Sequence, residues 1–273
     1  MSSHLSKGLY SSGKRAWYVV VLTSLAGCAT FSNDGGFGML KALGVKFLDR
    51  DGKDIGFGGE ALNRLEKIDL SGMDERLKEC RITAACDVNN PLIGPKGATY
   101  VFGPQKGATG EMLEILDRGL ANYAEKIRAC LGIDVADYPG AGAAGGMGAG
   151  LLAFLGAELK RGTEIVIETT GLDRHVQDAD LVITGEGMMD YQTQFGKTPY
   201  GVAMTAKKYG VPVIALVGSI GKDARVLFDK GIDSIFSIVD RPMSLDEAMK
   251  NCALLLQDAA ERVIRLYRIS AKH

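Results

Sequence analysis

From Asp180 onward the chain alternates short apolar runs with stretches of helical periodicity, and no other feature restricts its fold as much. The pattern predicts strands at 181–184, 213–217 and 234–238, helices at about 200–209 and 223–230, and a long terminal helix. Strand–helix units joined by short loops resolve into a parallel sheet with right-handed crossovers. The terminal helix opens on the capping-box sequence Ser244-Leu-Asp-Glu247. It is expected to carry Leu245, Met249, Cys252, Leu256, Ala259, Val263 and Leu266 on one apolar face.

The first of these strands, Leu181 to Ile183, is bounded by turn formers and reads as delivering Gly185-Glu186-Gly187 into a loop at its carboxyl end. Open α/β sheets bind ligands there. Two glycines around a carboxylate let backbone approach a ligand closely, while Glu186, Asp190 and Lys197 bring two acids and a cation to one loop. Such a set suits a phosphorylated ligand with magnesium, because the metal takes carboxylate oxygens and phosphate takes lysine and backbone N–H groups. A solvated loop with ordinary surface charges is the plain alternative, since polar residues crowd into most loops. Gly196-Lys197-Thr198 resembles the tail of a phosphate-binding P-loop, but Tyr191 stands where that motif requires glycine.

Earlier in the chain, Lys14-Arg15, the apolar run to Ser24 and Leu25-Ala-Gly-Cys28 have the order of an export signal with a lipobox. Val19 to Leu22 reads equally as a buried strand feeding a glycine loop. Asn33-Asp34-Gly35-Gly36 supplies turn chemistry and one acid ahead of the helical spacing Met39, Leu40, Leu43, so Asp34 is both a helix-cap and a site candidate. Strands are predicted at Val45–Leu48 and Arg81–Cys86, and Asp87, in a turn after the second, is a site candidate by position. Lys96 and Lys106 read as solvated. Thr109 is expected to cap a helix with Met112, Leu116, Leu120, Tyr123 and Ile127 on its apolar face, ended by Gly132. Gly140-Ala-Gly-Ala-Ala-Gly145 spells the dinucleotide fingerprint, with Glu168 after the apolar run Ile165 to Ile167. No apolar strand precedes it, so it reads as a turn into a helix at 151–160.

Several long blocks resemble the class I, bacterial-type glycerate kinases. They are Ser32-Asn-Asp-Gly-Gly36, Cys86-Asp-Val-Asn-Asn-Pro-Leu-Ile-Gly-Pro-Lys-Gly-Ala98 running into Phe102-Gly-Pro-Gln-Lys-Gly-Ala108, Pro139-Gly-Ala-Gly-Ala-Ala-Gly-Gly-Met-Gly-Ala-Gly150, Thr184-Gly-Glu-Gly-Met-Met-Asp-Tyr-Gln-Thr-Gln-Phe-Gly-Lys197 and Gly210-Val-Pro-Val-Ile-Ala-Leu-Val-Gly218. The likeness runs from about Gly27 onward. Met188 stands where the family usually has arginine, and the family's upstream Asp-Ser-Phe-Lys-Gly and Asp-Gly-Gly-Glu-Gly-Thr motifs do not occur, which implies an N-terminally truncated member.

The resemblance implies an α/β, glycerate kinase I-like fold. Residues 1–178 would form a central α/β domain and residues 179–273 a Rossmann-like half-domain with an incomplete parallel sheet. It implies ATP-dependent phosphorylation of D-glycerate to 2-phosphoglycerate with magnesium, in the cytoplasm. Asp190, Lys197 and Asp34 would be catalytic, with Glu186 and Asp190 on the metal. Asn33, Asp87, Gly185, Glu186, Gly187, Gln192 and Thr193 would bind substrate or nucleotide. An inactive truncated homologue, a ligand-binding protein and an exported lipoprotein are the alternatives, and a homo-oligomer is left open.

Bulk composition fits a globular protein: of 273 residues, 46% are hydrophobic and 24% charged. Thirty-two basic against 33 acidic residues give a net charge of -1, without the basic footprint of a nucleic-acid binder. The 36 glycines are about double the usual share of roughly 7% and cluster in loops. Five cysteines without a Cys-x-x-Cys pair and three isolated histidines indicate neither a disulfide framework nor a zinc site.

Overall fold

The structure is a computed structural model and describes residues 33–270. The strand expected at Val19–Leu22, the lipobox-like Leu25–Cys28, His4 and His273 lie outside the described residues. Two compact units are present, one up to Gly162 and one from Thr163 on, so the division falls earlier than the 178/179 boundary expected from sequence.

The first unit contains α1 (Phe37–Ala42), β1 (Lys46–Leu48), β2 (Lys67–Asp69), β3 (Thr83–Ala85), α2 (Ala98–Phe102), α3 (Gly110–Leu131), α4 (Ala143–Leu155) and β4 (Glu158–Lys160). β1 and β2 pair antiparallel with Phe47 opposite Ile68, and β3 and β4 pair parallel with Ala84 beside Leu159. The helix expected at 151–160 therefore ends early. Gly156, in the left-handed region at φ 56°, stops α4, and the chain re-enters as β4 because Ala157 has an apolar site to fill beside Ile82 and Ala84.

α3 follows the predicted spacing in its second half: Leu120, Tyr123 and Ile127 are fully buried, whereas Met112 near its start is 46% exposed, and Gly132 ends the helix at φ 71°. Its buried face meets an aromatic cluster in which the Phe37 and Phe47 rings are 5.5 Å apart and Tyr123 stacks on Phe154 at 6.3 Å. Tyr123 also explains a glycine, since a Cβ on Gly35 would lie 2.4 Å from the tyrosine ring. The Tyr123 hydroxyl is buried without a hydrogen-bond partner among the described residues. Burial, and secondarily the charge of Asp34, pushes its pKa well above 10.0.

A testable asymmetry follows. Tyr123→Phe removes an unpaired polar atom while keeping the ring, so stability should rise by about 1 kcal/mol. The pH dependence should change as well. In the unfolded chain this tyrosine ionises near pH 10 and in the folded chain only well above it, so its contribution is intact below pH 10 and is lost as pH rises further. Denaturant melts of wild type and Tyr123→Phe above pH 10 should show the steeper loss in the wild type alone.

The second unit contains α5 (Gly162–Thr170), α6 (Leu172–Gln177), β5 (Val182–Met189), α7 (Thr198–Lys208), β6 (Val213–Ile220), β7 (Ser234–Ser237), α8 (Leu245–Lys250) and α9 (Cys252–Ser270). β5, β6 and β7 form a parallel sheet in that order, with Val182 beside Val213 and Ile214 beside Ser234. Val213, Ala215 and Val217 face Ala203 and Ala206 of α7 and Val176 of α6. Leu216, on the opposite side, meets Leu255, Ala259 and Val263 of α9.

Ile165–Ile167, an apolar run in the sequence, lies in α5, because Thr163 and Ile167, four residues apart, both approach Gly201 of α7. Two sequence expectations are corrected here. The segment at 223–230 is a 3-10 helix, Ala224–Lys230. Ser244 does cap a helix, accepting the Glu247 N–H at 3.2 Å, but the terminal helix breaks at Asn251 into α8 and α9. Only Leu255, Ala259 and Val263 form the buried stripe, while Leu245, Met249, Cys252, Leu256 and Leu266 are exposed.

Candidate active site

The sequence places Gly185-Glu186-Gly187 in a loop, whereas the structure places them inside β5, which runs on to Met189 beside an equally long β6. The glycines have a local cause. A Cβ on Gly185 would lie 2.3 Å from the carbonyl oxygen of Leu216, and one on Gly218 would lie 2.5 Å from that of Gly187. They let the two strands close on one another. Glu186 pairs with Val217 in register and shares its side of the sheet, toward α7. The alternation slips after Gly187, so that Met189 is fully buried in the α7-side core while Met188 is exposed.

Asp190 ends β5 and begins a 3-10 turn, Tyr191–Phe195, followed by α7 with Lys197 at its N-cap position. Strand end, tight turn and helix start bring three charges together. Lys197 Nζ is 3.5 Å from Glu186 Oε2 and 3.7 Å from Asp190 Oδ1. Both carboxylates are largely buried, whereas the lysine side chain is 42% exposed.

Thr193 holds this group in place. Its fully buried hydroxyl donates to Glu186 Oε1 at 2.5 Å and accepts the Asp190 N–H at 3.3 Å. Asp190 Oδ1 accepts the Gln192 N–H at 2.9 Å. Thr193 was expected as a donor to ligand, but its proton is already engaged by Glu186. Gln192 is exposed and contributes its backbone N–H to Asp190. The result is a carboxylate pair fixed from behind, with a half-exposed cation in front that can exchange its ion pairs for a phosphate group.

Among the described residues no three His, Cys, Asp or Glu side chains converge on a metal position. Two fixed carboxylates do fit magnesium, which is typically held by one or two carboxylates together with substrate phosphates and water.

The first unit positions the remaining candidates. Asn33 is buried and donates from Nδ2 to Thr99 Oγ1 at 2.6 Å. Asp34 caps no helix: its carboxylate accepts the Gly36 N–H at 3.0 Å, and Gly36 is the α1 cap residue without a side-chain bond. The Asn33–Gly36 turn meets the glycine loop, with Gly35 N–H donating to Gly145 O at 3.0 Å. That loop in turn meets the segment after Asp87, since the N–H groups of Gly140 and Gly142 both donate to Asn90 O. Asp87 is exposed at the end of β3 and accepts the Gly162 N–H at 3.0 Å. Glu168, which follows the apolar run after the fingerprint-like glycines, lies in α5 and not after a strand.

The model of the glycerate kinase family matches residues 18–268. The chain belongs to the glycerate kinase family. A glycerate 2-kinase of Escherichia coli is 54% identical over 230 residues, which cover 84% of this chain and 60% of that protein. A glycerate kinase of Bacillus subtilis is 50% identical over 243 residues, covering 89% and 63%. A crystal structure of a glycerate kinase 2 homologue from Salmonella typhimurium matches with a TM-score of 0.78 at 47% identity, over 94% of this chain and 66% of that one. The chain thus spans about three fifths of the glycerate kinase relatives it matches. The α/β architecture with parallel strands agrees with that neighbour. No helix among the described residues is long and apolar enough to cross a membrane.

Proposed function

We propose that this chain is a glycerate kinase that transfers the terminal phosphoryl group of ATP to D-glycerate, giving 2-phosphoglycerate, with magnesium. The observation that carries the reading is the approach of Lys197 Nζ to both Glu186 and Asp190, 3.5 and 3.7 Å away, at the carboxyl end of a parallel strand. Phosphoryl transfer asks a protein chiefly for positioning and for charge opposite the transferring group. Lys197, at the start of α7, offers a cation where helix N–H groups also favour phosphate. Glu186, fixed by Thr193, and Asp190, fixed by the Gln192 N–H, are the carboxylates that would hold magnesium. When bound, the metal supplies charge neutralisation of the phosphate oxygens.

In the first unit, Asn33, Asp34 and Asp87 are assigned to recognition of the hydroxy acid. Asp34 is the aspartate of this unit assigned to proton acceptance from its hydroxyl. Gly185 and Gly187 are assigned to the strand that aims Glu186. A cytoplasmic location, where ATP is abundant, goes with the reaction.

The test is ADP release by the full chain with ATP, magnesium and D-glycerate, with the product separated from 3-phosphoglycerate. ADP formation that depends on D-glycerate and ends in 2-phosphoglycerate is expected. Absence of any D-glycerate-dependent turnover overturns the reading.

A further inference from the structure

The glycine loop against which the Asn33–Gly36 turn is seated does not hold its shape unaided. Ala144, Gly145 and Gly146 are left-handed in succession, at φ 52°, 72° and 90°. That conformation is unfavourable to alanine, and such a stretch persists only where the structure around it overdetermines it. On one side the constraint is the turn itself, since a Cβ on Gly146 would lie 2.9 Å from Gly35 Cα. On the other side it is the segment from Asn90 to Leu92. The Asn90 carbonyl oxygen accepts the N–H groups of Gly140 at 3.2 Å and Gly142 at 3.0 Å. A Cβ on Gly142 would meet Pro91 O at 2.1 Å, and one on Gly146 would meet Cδ1 of the fully buried Leu92 at 2.8 Å. The loop is cast against residues 90–92 as closely as against Gly35.

Three bonds hold that segment. Asp117 of α3 accepts the Gly94 N–H at 3.1 Å, and Leu92 O accepts the Ala98 N–H at 3.1 Å. The third is made by the Asn90 side chain, whose Nδ2 donates to Lys96 O at 2.8 Å and closes residues 90–96 on themselves. It acts at the very residue whose carbonyl carries both bonds to the glycine loop. We infer that Asn90 is a positioning residue for recognition of the hydroxy acid: its amide fixes the carbonyl that shapes the glycine loop, and the loop sets Asn33 and Asp34 in place. The inference rests on the reading of Asn33 and Asp34 as the residues that meet the hydroxy acid. Asn90 acts through them, because its own donor is engaged with Lys96 O. Small displacements of positioning groups are costly to a reaction while leaving the fold intact, so geometry and stability should separate in a variant.

Asn90→Leu keeps the size of the side chain and removes the donor. Lys96 is exposed, so water takes up its freed carbonyl and the fold survives. In the ligand-free full chain, amide hydrogen exchange at residues 140–146 should quicken about tenfold, the weight of one hydrogen bond. KM for D-glycerate should rise by a similar factor of about ten while KM for ATP, whose phosphates are assigned to the second unit, stays unchanged. Asn122→Ala is the control, because it also removes an amide, one that donates to Leu62 O and Leu65 O at 2.8 and 2.9 Å. It should lower the thermal midpoint and leave exchange at 140–146 and both KM values as in the wild type. Unchanged exchange in Asn90→Leu overturns the inference, as does faster exchange with an unchanged KM for D-glycerate, or an equal rise in KM for ATP. Absence of D-glycerate turnover in the wild type would defeat the functional reading instead, and the exchange data, which need no substrate, tell the two failures apart.

Discussion

Replacing Lys197 with alanine is expected to lower kcat for phosphoryl transfer by about 10²–10³-fold, the usual loss when one preorganised donor to a developing anion is removed. The same substitution should barely touch stability. Lys197 sits 3.5 and 3.7 Å from its partners with its side chain 42% exposed, and exposed ion pairs of that kind contribute less than about 1 kcal/mol. The two magnitudes separate the readings. A lysine that merely decorated a loop would give neither effect, and one that held the fold would give the second without the first. Glu186 keeps its bond to Thr193 and Asp190 its bond to the Gln192 N–H in the variant, so the carboxylates stay in place when the cation goes. Paired measurements of kcat, KM and the thermal midpoint decide between these cases.

Gly185→Ala is expected to have the largest effect on stability. The new methyl group would lie 2.3 Å from Leu216 O, and that oxygen belongs to the backbone of the adjacent strand, so only separation of β5 from β6 can relieve the overlap. Overpacking in a tight interior commonly costs about 1–3 kcal/mol, and a clash against backbone belongs at the upper end. For a chain of this size that corresponds to a fall in Tm of roughly 6–12 °C. Gly187→Ala supplies the control, because nothing lies within 4 Å of its Cβ position, and a change within about 0.5 kcal/mol is expected. If Gly185→Ala melted like wild type yet bound nucleotide poorly, the glycine would serve ligand approach, and the packing account of this motif would be wrong.

That contrast shows what a sequence of this kind discloses. The three parallel strands were legible because their apolar runs are short, β-branched and bracketed by turn formers. The length of β5 was not, since Gly185, Gly187 and the following methionines have the composition of a loop and are strand only because β6 lies against them. The apolar run Ile165–Ile167 did not declare its element, for the opposite reason. Three β-branched residues in a row satisfy either period, and the deciding contact, with Gly201, is distant in sequence. The terminal helix was legible in its cap at Ser244 but not in its buried face: the break at Asn251 separates Leu245 and Met249 from α9, and within α9 the buried stripe runs through Leu255, one position before the expected Leu256.

The candidate site divides similarly. That Glu186, Asp190 and Lys197 come together could be inferred from their crowding after one strand. The part played by Thr193 could not, because it depends on a 3-10 turn that folds residue 193 back beneath residue 186. A threonine three residues after a strand-ending aspartate was the available signal, being the reciprocal pattern of a capping box.

The central claim is that Asp190 and Lys197 act on one phosphoryl group as a unit. Its most direct measurement is the rate of phosphate transfer from ATP to D-glycerate by the full chain, by Lys197→Ala, by Asp190→Asn and by the double variant. Groups that act as a unit are not additive, so the double variant should lose about as much rate as the worse single one. Losses that simply multiply, or transfer that survives both substitutions, would contradict the account.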